Sequence, residues 1–143
     1  MKIPDVNVLI HVADRGAAQH QRAVQWLADA FEHPSGVGFA WMALLGFIRI
    51  TTRPGIFSRP LPVEDALRMV DHWLGQPGAQ IVHPGRRHAA LLGRLLLTAG
   101  TGGNLTTDAH LAALALEHGA TIGSFDRDFR RFAGLDMDWL GAA

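Results

Sequence analysis

The chain has 143 residues, with thirteen basic side chains balancing thirteen acidic ones, so no overall field recommends a nucleic-acid partner and any such contact must come from a local site. Hydrophobic residues make up 48% and charged residues 18%, a balance that suits one folded domain over residues 1–143 and excludes extended disorder. The absence of cysteine excludes disulfides and thiolate-bound zinc.

The longest apolar stretch, Val37 to Ile48, is shorter than the roughly 18 to 20 residues a membrane-spanning helix needs. Asp5, Asn7 and His11 interrupt the amino-terminal apolar run, so no signal peptide is expected and the chain reads as cytoplasmic. Ile3, Val6, Val8, Leu9, Ile10 and Val12 read as a short buried strand broken by Pro4 and Asp5, with Asp5 where the strand should end. From about Ala17 to Phe31, apolar residues including Ala23, Val24, Trp26, Leu27 and Ala30 recur at helical spacing, and Pro34 and Gly36 close the segment. Val37 to Ala40 suits a second strand, and Trp41 to Thr52, apolar almost throughout until Arg49, suits a helix packed deep against a sheet.

Pro62 opens an amphipathic helix with Val63, Ala66, Leu67, Val70, Trp73 and Leu74 on one face. Gln80 to Val82 reads as a third strand, and the helix after Pro84 turns Ala89, Leu91, Leu92, Leu95, Leu96 and Ala99 inward before Gly100. A loop over 101–104 precedes a helix that begins near Thr106 or Thr107 and ends at Gly119. Ala120 to Gly123 is a fourth strand, followed by a short turn or helix through Phe132 and a last strand around Met137 to Leu140. Strands alternating with helices define an α/β chain, with a mainly parallel sheet covered on both faces and right-handed crossovers.

Ligands of open α/β sheets collect at the carboxyl ends of the strands, and three acidic residues fall at such places. Asp5 follows the first strand, Asp126 follows the fourth, and Asp108 lies in the first turn of the helix between Thr106 and Gly119. Alone, each has an ordinary role. A first-turn aspartate gains about 0.3 to 1 kcal/mol from the helix dipole, and aspartate is a good turn former. Together they would repel one another and raise one another's pKa unless a cation neutralised them. Oxygen ligands without cysteine favour a hard cation, magnesium or manganese.

The segments IPDVNVLI, FIRITTRPGIF and LTTDAHLAALALEHGATIGSFDRDF resemble the PIN-domain toxins of bacterial VapBC toxin-antitoxin modules, and the likeness covers nearly the whole chain. It implies a three-layer α/β/α domain that cleaves RNA with Mg2+, or Mn2+ in its place, in an acidic pocket, and that a cognate antitoxin silences. By this resemblance Asp5, Asp108 and Asp126 are catalytic metal ligands, and Asp128 falls where a further acidic residue often assists. Asn7 and Thr107 match neutral positions that orient the pocket, and members often form homodimers. One position departs from the pattern. Many members carry a glutamate three residues before an arginine on the second helix, where this chain has Gly46 ahead of Arg49. One negative charge fewer leaves open a second reading, a catalytically weak module that binds RNA or a partner.

Eight histidines form no HExxH pair, and His110, two residues from Asp108, points to another helix face, so they read as scattered structural or surface residues, except His11, which lies soon after Asp5 and could contact a phosphate or finish a loop. Arg49 and Arg127 are candidate contacts to RNA phosphates, a role that carries salt dependence. Trp26, Trp41, Trp73 and Trp139 lie in apolar segments and are expected in the core.

Overall fold

The computed structural model describes residues 1–57 and 59–141; Ser58, Ala142 and Ala143, included in the expected domain, lie outside the described residues. Five strands, β1 (Lys2–Pro4), β2 (Val37–Phe39), β3 (Ala79–Ile81), β4 (Thr121–Ser124) and β5 (Asp136–Trp139), form one sheet in the order β3-β2-β1-β4-β5. Every pairing is parallel. The helices are α1 (Val6–Ala13), α2 (His20–Glu32), α3 (Trp41–Thr51), α4 (Val63–Leu74), α5 (His88–Ala99) and α6 (Thr106–His118), with short 3-10 turns at Gly103–Leu105 and Arg127–Arg131.

Alternation along the strands sends side chains into two cores, which makes the domain three-layered. Ile3 and Ile122 pack with Leu91 and Leu95 of α5 and Leu111 and Leu114 of α6. Val37 and Phe39 pack on the other side with Leu9, Leu27, Leu44, Phe47 and Trp73, drawn from α1 to α4. Phe39 stacks on Trp73 with ring centres 6.3 Å apart, and Phe47 meets the same indole edge-on at 4.8 Å. Among the described residues no helix is long and apolar enough to cross a membrane.

The largest correction to the sequence reading is at the start. Residues from Val6 to Val12, expected to continue a strand, are helical. Their valines and isoleucine favour a strand locally, but both sides of the segment are covered. Leu9 is buried in one cluster with Val6, Ile10 and Ala13 against it, and Val8 in another with Val12 against it. Spacings of three and four residues within each set are helical, and a helix apolar all round must be buried all round. Strand ends shift by a residue elsewhere, β3 beginning at Ala79 and β4 reaching Ser124. Several expected inward residues face solvent: Val24, Val63, Leu67 and Ala89 are exposed, and Trp41 is 43% exposed where core packing was expected.

Candidate active site

The strand order reverses direction of growth between β1 and β4, and at such a switch point the loops leave the carboxyl edge on opposite sides and open a crevice. Pro4 pairs with Gly123 there, so the next residues on the two strands, Asp5 and Ser124, are neighbours. The Asp5 amide donates to the Gly123 carbonyl at 2.9 Å, which carries the ladder one residue beyond β1. Asp5 then becomes the N-cap of α1: its extended backbone turns the chain, and Oδ1 accepts from the Val6 amide at 2.7 Å.

Ser124 was not singled out as a site residue by the sequence, yet its hydroxyl is the centre of the site. It is fully buried and donates to Asp5 Oδ2 at 2.7 Å. It accepts from Asn7 Nδ2 at 3.2 Å and from the Asp126 amide at 3.0 Å, which uses its full capacity of one donor and two acceptors. Asn7 closes the brace by accepting the Phe125 amide on Oδ1 at 3.2 Å. The brace joins α1 to the loop after β4. Asp126 caps the following turn, its Oδ1 accepting from the Asp128 amide at 2.8 Å.

Asp108 reaches the same edge from α6. That helix leads into β4 from the amino end of the strand, so its own first turn lies at the carboxyl end. Burial and then the charges of Asp5, Asp126 and Asp128 push the Asp108 carboxyl up to about 7. Asp5, only 5% exposed, is raised chiefly by burial, opposed by the Ser124 and Val6 hydrogen bonds, with Asp126 adding to the rise. Four carboxylates therefore share one field. Among the described residues none of Asp5, Asp108 and Asp126 has an ion-pair partner, and Asp128 has a distant one in Arg131 at 3.7 Å.

Other expected site residues stand further from this centre. Thr107 is exposed in the first turn of α6, with no side-chain hydrogen bond among the described residues. Arg49 is exposed in the last turn of α3 and pairs with none of the carboxylates. Arg127, next to Asp126, is exposed and stacks over Trp139 with its guanidinium carbon 4.5 Å from the ring centre. At Gly46 a Cβ would meet Val6 Cγ2 at 3.0 Å, so this glycine lies against the first residue of α1 and beside the aspartate cap. Its close approach is part of how α3 packs on α1. Among the described residues no group of three or more aspartate, glutamate or histidine side chains is arranged to enclose a metal ion by itself.

The chain is an all-parallel α/β/α domain with aspartates gathered at its switch point, the place where open α/β sheets take their ligands. Comparison with known proteins makes the class specific. The PIN domain family matches residues 2–135. Ribonuclease VapC37 of Mycobacterium tuberculosis is 49% identical over 138 residues, covering 96% of each chain. In the fold, the chain superposes on the M. tuberculosis VapC20 crystal structure, described as a sarcin-ricin loop cleaving toxin, with a TM-score of 0.69, 18% identity and coverage of 94% and 96%. VapBC2 from Rickettsia felis, bound to a DNA fragment from its promoter, gives a TM-score of 0.67 at 14% identity, covering 96% of each chain. The chain belongs to the PIN-domain family, and within it to the VapC proteins.

Proposed function

We propose that this chain is a magnesium-dependent endoribonuclease toxin of a type II toxin-antitoxin pair, hydrolysing RNA phosphodiester bonds until a cognate antitoxin silences it. The names of its relatives support the reaction and the partner. The observation that carries the reading is the concentration of negative charge around Asp108, whose carboxyl must lose its proton near pH 7 against three other aspartates. A cation relieves that cost.

The donor set fits magnesium, with manganese as a substitute: every candidate ligand is a carboxylate oxygen. Magnesium keeps several of its waters and takes one or two carboxylates directly, so a preformed cage of three is not required. Asp5, Asp108 and Asp126 would hold the ion directly or through water, with Asp128 assisting. An ion held there would supply water activation and charge neutralisation at the phosphate. The protein's part is positioning. Ser124 and the Val6 amide fix both oxygens of Asp5, and Asn7 ties the Asp126 loop to α1. Arg127, next to Asp126, and Arg49 are exposed and available to RNA phosphates. RNA as substrate puts the site of action in the cytoplasm. Trp41 and Leu45, 43% and 59% exposed one helical turn apart on α3, support self-association as a homodimer.

The second reading, a catalytically weak RNA-binding or partner-binding module, rests on Gly46 in place of a glutamate. Both are decided by one assay. RNA cleavage is measured in magnesium, in manganese and in chelator, with Asp5→Asn as control. Cleavage that needs the metal and is lost in Asp5→Asn is the expected result. Metal-dependent RNA binding without cleavage in the parent would select the second reading, and equal cleavage by parent and Asp5→Asn would remove Asp5 from the mechanism.

A further inference from the structure

Two histidines and a glutamate outside the aspartate cluster are organised in a way their spacing along the chain conceals. His110 and Glu117 are seven residues apart on α6, two turns along one face, and His88 at the start of α5 is placed between them. His88 Nδ1 lies 3.2 Å from Glu117 Oε1, and His88 Nε2 lies 2.8 Å from His110 Nδ1. His88 and Glu117 are each 12% exposed at the side chain, and His110 is half-buried. Glu117 also accepts the Gly85 amide at 3.0 Å. A Cβ at residue 85 would meet the carboxylate, which would have to shift to make room. The Gly85 hydrogen bond, with His88 and His118 nearby, holds the Glu117 carboxyl below its ordinary range, so it is an acceptor at neutral pH. His118 is turned aside, its Nε2 on the His83 carbonyl at 3.2 Å.

An ionised Glu117 takes a proton from His88 Nδ1, and the 2.8 Å contact between His88 Nε2 and His110 Nδ1 takes one further proton between the two rings. Such a carboxylate-imidazole pair is how proteins set the tautomer of a metal-ligating histidine. The facing His110 Nδ1 is a second imidazole nitrogen at 2.8 Å. With metal-nitrogen bonds of about 2.0 to 2.1 Å, two nitrogens on one ion stand about 2.9 to 3.4 Å apart, so the rings need to separate by a few tenths of an ångström and to turn until both lone pairs meet at the ion.

We propose that His88 Nε2 and His110 Nδ1 form a site for a borderline divalent cation of the zinc class, with Glu117 holding His88 in its ligating tautomer. Binding displaces the proton held between the two rings, which is lost to solvent from His88 Nε2 or exchanged through solvent from His110 Nδ1 to His110 Nε2, so that each ring ligates as a neutral imidazole and water takes the cation's remaining positions. The imidazole ligands select zinc, cobalt or nickel over magnesium. His110 lies about 200° around α6 from Asp108, which separates this site from the aspartates. Its consequence is mechanical: a cation there clamps the start of α5 to α6.

The test uses zinc chloride on the full chain carrying Asp5→Asn, Asp108→Asn and Asp126→Asn, so that the aspartate cluster does not compete. Calorimetric titration is expected to give one zinc per chain, weakened about 10- to 100-fold by Glu117→Gln and lost in His88→Ala and in His110→Ala. Nitrogen NMR of the histidine rings, on the folded protein with both histidines intact, is expected to show zinc-induced shifts at His88 Nε2 and His110 Nδ1. This second measurement decides the matter if an alanine variant fails to fold. Zinc binding indifferent to both histidine substitutions, or ring nitrogens that do not respond to saturating zinc, would overturn the site.

Discussion

Ser124 shows how one hydroxyl can organise a charged site. Among the described residues it alone donates to Asp5 Oδ2 while taking hydrogen bonds from Asn7 and the Asp126 amide. Ser124→Ala leaves these groups short of a partner in a buried place and is expected to cost about 1 to 3 kcal/mol in urea unfolding. Ribonuclease activity should fall with it, because Asp5 loses its orientation. Asp108 carries the pH dependence. Its folded carboxyl titrates at about 7 against an ordinary 3.8. Below the lower value it is protonated in both states and contributes no penalty. As pH rises towards 7 the unfolded chain gives up the proton first, so the metal-free protein loses stability over that interval, and burial of Asp5 acts in the same direction. Asp108→Asn should therefore melt later than the parent at pH 8 in chelator, by about 1 to 2 kcal/mol after discounting for the solvent on a half-buried side chain, and the gap should close towards pH 4.

At the scale of elements, α1 and α3 meet where Gly46 lies against Val6. Restoring a glutamate at this position has two opposed effects. Removing a helix-interior glycine favours α3 by up to about 1 kcal/mol, whereas the new Cβ presses Val6 and overpacking costs about 1 to 3 kcal/mol. Gly46→Glu is therefore expected to be less stable than the parent in chelator. Adding Val6→Ala should recover part of the loss, and the double-mutant cycle in urea melts should show a coupling of at least about 0.5 kcal/mol. Additive effects would show that the two residues do not oppose one another. The new carboxylate begins one residue from the Asp5 cap, so magnesium affinity by calorimetry is expected to rise more in the double variant than in Gly46→Glu alone. The same helix pair explains why the first element misled the sequence reading. DVNVLIHVA is rich in β-branched residues, and only burial by α2, α3 and the sheet edge makes a helix its best conformation.

For the whole molecule, the proposed cation would act on folding as well as on catalysis, because it would relieve carboxylate repulsion. Magnesium at a hundredfold excess over its dissociation constant should add about 2.7 kcal/mol, a rise of about 5 to 10 °C in the melting midpoint, and Asp5→Asn should abolish most of it. An equal rise in the two proteins would locate the ion elsewhere. Much of this architecture was written locally. Alternating apolar runs, Pro62 before α4, and Gly100 and Gly119 after α5 and α6 mark the elements, because backbone sterics and burial act over a few residues. Asp5, Asp108 and Asp126 could be picked out because aspartates beside strand ends and helix starts are visible in one dimension. The strand order was not visible, since hydrogen bonding between β1 and β4 joins residues more than a hundred positions apart. Ser124 therefore looked like an ordinary loop serine until its pairing register put it against Asp5. His88 and His110 looked scattered for the same reason: only the packing of α5 on α6 sets their nitrogens 2.8 Å apart. The sequence by itself determined most of the elements, α1 excepted, and marked the aspartates at strand ends and a helix start, and the tertiary structure decided which side chains stand together there, because proximity between distant residues is created only when the sheet and its helices are assembled.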